Sequence, residues 1–142
     1  MMRYKHVEHT SDVAFEAYGD SLEELFANSA LATYSFMTDI DELMKEPATE
    51  ERAVNIQSED LYSLMFDWLD EILFFFESEM LMFTRFDIKV DAEKFSLGGK
   101  CKGVFFDPEK HEVGIIIKAV TYHMMEIKEE DGRWRARVVL DV

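Results

Sequence analysis

The feature that most constrains the fold is a helical repeat of apolar residues in the segment from 58 to 76. Large apolar side chains recur there at alternating steps of three and four residues: Leu61, Leu64, Met65, Trp68, Leu69, Ile72, Leu73 and Phe76. This spacing places them on one side of an α-helix. Ser58 is a candidate N-cap, and Glu59 and Asp60 suit the positive end of the helix dipole. We expect this helix at the centre of the hydrophobic core.

The first forty residues predict two strands followed by a second helix. Residues 3–8 read as a short extended piece, and residues 13–18 alternate between apolar and other positions in the manner of a strand. Ser21 and Glu24 have the spacing of a capping box, which predicts a helix from about Leu22. That helix is expected to end near residues 37–39.

The second half of the chain predicts mainly strands. Aromatic and β-branched residues between turn signals favour strands over residues 82–90, 95–106, 113–128 and 133–140. Residues 39–50 read as a connection, and residues 51–57 give a weak strand signal. The order of these elements predicts an α+β fold, a mainly antiparallel sheet with two main helices packed on one face in two layers.

Length and composition bound the class of protein. A chain of 142 residues fits a single domain over 1–142. The apolar runs are too short to cross a membrane and the start has no apolar signal segment, so we expect a soluble, cytoplasmic protein with no membrane partner. Cys101 is the only cysteine, which fits a reducing compartment. It is expected to be an ordinary cysteine, packed in the core or at its rim.

The net charge of −15 restricts the partners. An acidic surface repels the phosphate backbone, so strong direct binding to nucleic acid is not expected. Such a surface suits cations and basic protein partners, although charge that only maintains solubility explains most of the acids equally well.

Common catalytic and metal motifs are not found, so we predict no catalytic residue. His6 and His9 are three apart in an extended segment and therefore point to opposite faces, which argues against a zinc site. Gly98 and Gly99 lack the spacing of a phosphate loop and read as a tight turn or bulge.

The C-terminal segment is more informative. The pleat of a strand over 133–140 directs Trp134, Ala136, Val138 and Leu140 to the core, with Arg135, Arg137 and Asp141 opposite. Asp141 is followed by Val142 and its terminal carboxylate, so the strand end collects hard oxygen donors. These are the ligands that Ca²⁺ and Mg²⁺ prefer.

Asp12 is the candidate partner for Asp141. If the two carboxylates lay ~4 Å apart they would repel by about 4 kcal/mol at an effective dielectric of 20. A bound cation, an arginine or a shared proton would have to offset that repulsion. The alternative is that Asp12 caps a turn through Thr10 and Ser11 while Asp141 pairs with Arg137.

The chain resembles the archease family in five stretches taken in order: HTSDVAF, GDSLEELFANSA, DLYSLMFDWLDEILF, HEVGIIIKAVTYHMMEI and the final Leu140-Asp141-Val142. The likeness covers nearly the whole chain. It implies a small accessory protein, not an enzyme, that assists the GTP-dependent tRNA-splicing RNA ligase. The resemblance implies that such a protein promotes guanylylation of the ligase histidine and allows repeated turnover.

The same resemblance implies a metal site, with Ca²⁺ as the expected ion and Mg²⁺ or another divalent cation as the alternative. Its expected ligands are Asp12, Asp141 and a main-chain or terminal oxygen of Val142.

His9, His111 and Lys118 also fall on the family's pattern and are candidates for contact with a partner or another functional role. For His9 the alternative is a turn histidine bonded to the backbone. For Lys118 it is a surface strand lysine near the acids.

The expected function is therefore an accessory protein that binds the ligase and not the RNA. One alternative is a small metal-dependent hydrolase in which His9 or His111 is the base. The other is a chaperone-like binding module, which predicts an exposed apolar patch from aromatics such as Phe74, Phe75 and Phe83.

Overall fold

The computed structural model describes residues 2–8 and 11–142, which form two antiparallel sheets packed against two long helices. In chain order the elements are β1 (Tyr4–Val7), β2 (Val13–Gly19), α1 (Leu22–Ser35), α2 (Ile40–Leu43), β3 (Glu50–Gln57), α3 (Leu61–Glu79), β4 (Leu81–Asp91), β5 (Ser96–Phe105), β6 (Ala119–Val120), β7 (Glu126–Glu130) and β8 (Arg133–Asp141).

The strands divide between two sheets. The five-stranded sheet has the order β1-β2-β8-β6, and β7 pairs with the other half of β8. The three-stranded sheet has the order β3-β5-β4. Every pairing is antiparallel. The predicted α+β class with two main helices is confirmed, with the refinement that the single expected sheet is two.

Helix α1 begins where the sequence predicts. The Oγ of Ser21 accepts the backbone N–H of Glu24 at 3.1 Å, and the carboxylate of Glu24 accepts the N–H of Asp20 at 3.2 Å. These bonds satisfy donors that a helix start leaves unpaired. The helix is buried on most sides because it packs against both β2 and β4.

Helix α3 carries the predicted apolar stripe into the core, although Ser58 is not its cap. Leu64, Met65, Trp68, Leu69, Ile72 and Leu73 are buried. The N-cap is Asp60, which accepts the N–H of Ser63 at 2.7 Å. Ser58 instead donates its hydroxyl to Asp67 at 2.6 Å. The indole N–H of Trp68 donates to the carbonyl of Phe26 at 2.8 Å and so ties α3 to α1.

Two connections differ from the prediction. The segment 39–50 contains the short helix α2, capped by Asp39. The strand predicted over 113–128 is wrong for most of its length, because only β6 and β7 pair there and residues 112–118 form no regular element. The weak strand signal over 51–57 is confirmed by β3.

Two smaller predictions have different outcomes. Cys101 is fully buried, and this burial raises the pKa of its thiol to about 12, which agrees with a packed and unreactive cysteine. Gly98 and Gly99 are not in a tight turn but inside β5, opposite Asn55 and Val54 of β3. Among residues 2–8 and 11–142, no helix is both long and apolar enough to cross a membrane.

The five-stranded sheet has one face in the core and one polar face. Phe15 and Ala17 of β2 and Ala136, Val138 and Leu140 of β8 are buried in the core, next to α1. Residues at the alternate positions point the other way. We call this opposite side of the sheet the polar face, because it carries Lys5, Glu16, Tyr18, Arg135 and Arg137.

Candidate functional site

The beginning of β2 and the end of β8 meet at one end of the five-stranded sheet. In the β2–β8 register Val13 pairs with Leu140. Asp12 immediately precedes Val13, in the bend before β2, and Asp141 immediately follows Leu140, so the backbones of the two aspartates lie next to the last pair of this register. We call this place, with Asp12, Asp141, Lys118 and Val142, the carboxylate end.

The alternation of β8 directs the side chain of Asp141 to the polar face. Leu140 shares the parity of the core residue Val138, so the next residue, Asp141, points to the other side of the sheet. The proposed pairing of Asp141 with Arg137 is wrong, because Arg137 donates to Glu16 at 3.0 Å. The described residues give the exposed carboxylate of Asp141 no hydrogen bond or ion pair.

Lys118 and Val142 belong to the same end of the sheet. The backbone N–H of Lys118 donates to the carbonyl of Asp141 at 2.8 Å. Because Ala119 pairs with Asp141, the register of β6 places Lys118 opposite Val142. Both residues are exposed. Strand β6 is short, but it brings the backbone of Lys118 beside the end of β8, on the side away from β2.

The donors at the carboxylate end fit a hard, oxygen-preferring cation. Asp12 and Asp141 offer two carboxylates, and Val142 adds a main-chain oxygen. Over residues 2–8 and 11–142 no group of three or more His, Cys, Asp or Glu side chains is arranged to hold a metal ion. A cation here would therefore keep several water ligands, which Ca²⁺ and Mg²⁺ both accept.

The middle of the polar face is organised differently, around one buried acid. Glu16 is 8% exposed and accepts hydrogen bonds from Arg137 at 3.0 Å and Tyr18 at 3.1 Å. Arg135 and Lys5 lie 3.5 and 3.7 Å from its carboxylate. Burial raises the pKa of Glu16, but the hydrogen bonds and positive charges outweigh burial and leave the pKa below its usual value.

His111 does not join the carboxylate end but fixes a turn near α2. Its Nδ1 accepts the backbone N–H of Asp107 at 2.9 Å, so the ring proton is on Nε2, which donates to Glu46 at 2.6 Å. The side chain is 8% exposed, and its ring stacks on Phe106. Each ring nitrogen therefore has a structural partner, and a role as a base lacks support here.

The remaining candidates are placed as follows. His9 lies outside the described residues. His6 faces α1, where its Nε2 is 2.9 Å from the Oγ of Ser35 and its ring stacks on Phe36. The apolar patch expected from aromatics is wrong in part, because Phe83 is fully buried and Phe75 packs against it, while Phe74 is 58% exposed.

Sequence reasoning missed an exposed group of aliphatic side chains beside the carboxylate end. Val113, Ile115 and Ile116 are 60%, 44% and 70% exposed, and we call them the aliphatic strip. They occupy the irregular segment that precedes β6. The run Val113-Gly114-Ile115-Ile116 falls in the strand predicted over 113–128, and its glycine is the available sign of another conformation.

Comparison with known proteins agrees with this architecture. The model of the archease protein family (MTH1598/TM1083) matches residues 4–142. The chain belongs to the archease family. Protein archease of Methanothermobacter thermautotrophicus is 44% identical over the full length of both chains, and that of Sulfolobus acidocaldarius is 37% identical over the full length of both.

Two solved archease-family structures have the same fold. The solution structure of Methanobacterium thermoautotrophicum protein 1598 matches with a TM-score of 0.84 at 44% identity, over 100% of both chains. The crystal structure of an archease from Thermotoga maritima, described as a possible chaperone, matches with a TM-score of 0.64 at 26% identity. That match covers 100% of this chain and 98% of the other. The suspected membership of the archease family is thereby confirmed.

Proposed function

We propose that this protein is an accessory factor of the GTP-dependent tRNA-splicing RNA ligase in the cytoplasm, and that it promotes guanylylation of the ligase and its repeated turnover. The observation that carries the proposal is the convergence of Asp12 and Asp141 at one exposed end of the sheet. Because this end of the sheet is exposed, it can reach into the active site of another protein. An enzyme acting alone would need a pocket for its substrate.

Charge supports a protein partner over direct contact with RNA. The chain has a net charge of −15, so it repels a polyanion such as RNA from most directions. A ligase that binds RNA and GTP needs basic residues around its active site. An acidic accessory protein is attracted to that surface over distances of about a Debye length.

The residues of the carboxylate end have distinct roles in the proposal. Asp12 and Asp141 bind a divalent cation, preferably Ca²⁺, together with the main-chain oxygen of Val142. The bound ion supplies positive charge for the phosphate groups of GTP or for organising the contact surface. Lys118, held beside Asp141 by its backbone, places a further positive charge at the same edge for an anionic group of the partner or nucleotide.

The proposal is tested by guanylylation of the purified ligase with the wild-type protein and two variants. Asp12→Asn and Asp141→Asn remove one charge each at nearly constant size, and we expect both to lose stimulation. Asp131→Asn is the matched control, because it removes the same charge from an exposed turn at the opposite end of β8. Full stimulation by both test variants, with unchanged far-UV circular dichroism, would contradict the role of the metal.

A second candidate is a chaperone-like binding module. It is favoured by the exposed aliphatic strip, because exposed apolar surface binds unfolded chains. This function predicts that the protein suppresses aggregation of an unrelated, chemically unfolded client. A ligase-specific factor is expected to stimulate the ligase and to leave such a client unprotected.

A further inference from the structure

Exposed apolar surface lies directly beside the carboxylate end. The aliphatic strip is followed by the buried Ile117 and then by Lys118, whose N–H is bonded to Asp141. Val142 is 37% exposed and faces Lys118 in the register of β6 and β8. Along the chain the single residue Ile117 therefore separates the aliphatic strip from Lys118 of the carboxylate end, and the side chains of the strip and of Lys118 are exposed. Such grouping of apolar side chains on a soluble protein is typical of an interaction site.

The aliphatic strip is held in a fixed position. The N–H of Gly114 donates to the carbonyl of Met37 at 2.7 Å, and the N–H of Ile115 donates to that of Phe36 at 2.9 Å. The hydroxyl of Thr38 donates to the carbonyl of Glu112 at 2.8 Å. These bonds attach the segment to the end of α1.

Gly114 is required for this attachment. A Cβ at that position would lie 2.3 Å from the carbonyl oxygen of Phe36, closer than van der Waals contact allows. The segment therefore approaches α1 only because it has a glycine there. A segment fixed before binding loses little conformational entropy when a partner covers it. The structure thus holds Ile115 and Ile116 outward while Ile117 anchors the segment in the core.

We propose that the aliphatic strip and the carboxylate end form a single docking surface for a folded protein with an apolar groove and a basic rim. The strip fills the groove, and the acids beside it, Glu112 and Asp141, face the rim. This inference rests on the proposed function, since the partner it identifies is the RNA ligase. It adds which surface of this chain makes the contact.

Charge decides between this occupant and the others. Two copies of a chain with a net charge of −15 repel each other, which disfavours a dimer through the strip. Nucleic acid is anionic and has no groove suited to aliphatic side chains near carboxylates. A basic protein surface is complementary to both parts of the docking surface, because its charges attract the acids and its apolar groove buries the isoleucines.

The test measures binding of the full-length protein to the purified ligase by titration calorimetry. Ile116→Ser and Val113→Ser shorten exposed side chains of the strip, and we expect each to weaken binding by about tenfold or more. Phe74→Ser is the matched control, since Phe74 is 58% exposed on α3, beside β3, and we expect its affinity to equal that of the wild type. Thermal unfolding midpoints of the three variants establish that they remain folded.

Each outcome has a definite meaning. Absence of binding by the wild-type protein overturns the proposed function and this inference together. Normal ligase binding by both strip variants overturns the docking surface alone. If the wild-type protein sediments as a dimer and Ile116→Ser sediments as a monomer, the strip binds a second copy of this chain. If the wild-type protein protects an unfolded client and Ile116→Ser abolishes this protection, the strip binds unfolded chains. Either this result or the dissociated dimer would overturn the inference.

Discussion

The middle and the end of the polar face use the same two strands for opposite purposes. In the middle, Glu16 receives hydrogen bonds from Arg137 and Tyr18 and lies near Arg135 and Lys5. At the end, the carboxylate of Asp141 has no partner among the described residues, and the backbone of Asp12 lies next to the same last pair of the β2–β8 register. Asp12 lies four positions before Glu16, which corresponds to about 13 Å of extended chain.

The two regions differ in whether arginine side chains neutralise their acids. Arginines 135 and 137 are the nearest guanidinium groups along β8, and both are engaged by Glu16, while Arg135 also donates to Glu126 at 2.6 Å. They are therefore unavailable to neutralise the carboxylate end. The middle network contributes to the stability of the fold, and the negative charge at the end is left for a cation or a basic partner.

The largest expected effect is on the middle network. Glu16→Gln removes the charge that two arginines and a lysine share. Arg135 keeps Glu126 as a counter-ion, but the partly buried guanidinium group of Arg137 loses its carboxylate partner. We expect the free energy of unfolding to fall by about 3 kcal/mol. Urea denaturation followed by circular dichroism measures the change. A loss within experimental error would mean that the network does not stabilise the sheet.

The second effect concerns the carboxylate end with metal present. Calcium that binds only the folded state at about 100 times its Kd stabilises a protein by about 2.7 kcal/mol. We expect a rise of several degrees in the unfolding midpoint of the wild-type protein, measured by calorimetry with Ca²⁺ and with chelator. The rise should vanish in Asp141→Asn and persist in Asp131→Asn. An equal rise in both variants would place the ion elsewhere.

The third effect is a pH dependence that belongs to the middle network. The pKa of Glu16 is lower in the folded protein than its ordinary value of 4.5. Its contribution is therefore complete above that ordinary value and is lost as the pH falls through the lower, folded pKa. We expect the stability difference between wild type and Glu16→Gln to shrink below about pH 4.5. Unfolding curves of both proteins from neutral to acidic pH measure it, and a constant difference would contradict the assignment.

Sequence alone predicted the parts of this face that depend on local periodicity. The alternation from Trp134 to Asp141 gave the core side of β8 and the outward direction of Asp141 correctly, because a strand reverses side at every residue. The meeting of Asp12 with Asp141 depends on the pairing of strands from opposite ends of the chain. No local pattern encodes that register, and only the family resemblance indicated it.

Two misses have a common cause, which is tertiary contact that overrides local preference. Residues 113–118 are rich in β-branched side chains and favour a strand, but the N–H groups of Gly114 and Ile115 bond to carbonyls at the end of α1. His111 was a candidate for chemistry, but its ring is fixed by Glu46, which follows the unpredicted helix α2. Neither partner could be inferred from residues near the histidine or the strip.

The smallest expected effect, on stability without metal, distinguishes most sharply between the carboxylate end and the middle of the polar face. Without metal, Asp141→Asn removes the charge of an exposed carboxylate that makes no hydrogen bond or ion pair with a described residue. We therefore expect its free energy of unfolding in chelator to stay within about 0.5 kcal/mol of the wild type. Glu16→Gln, one charge removed from the same face, is the contrast. A loss at Asp141 as large as that at Glu16 would show that the carboxylate end stabilises the fold, and its proposed availability to a cation or partner would have to be abandoned.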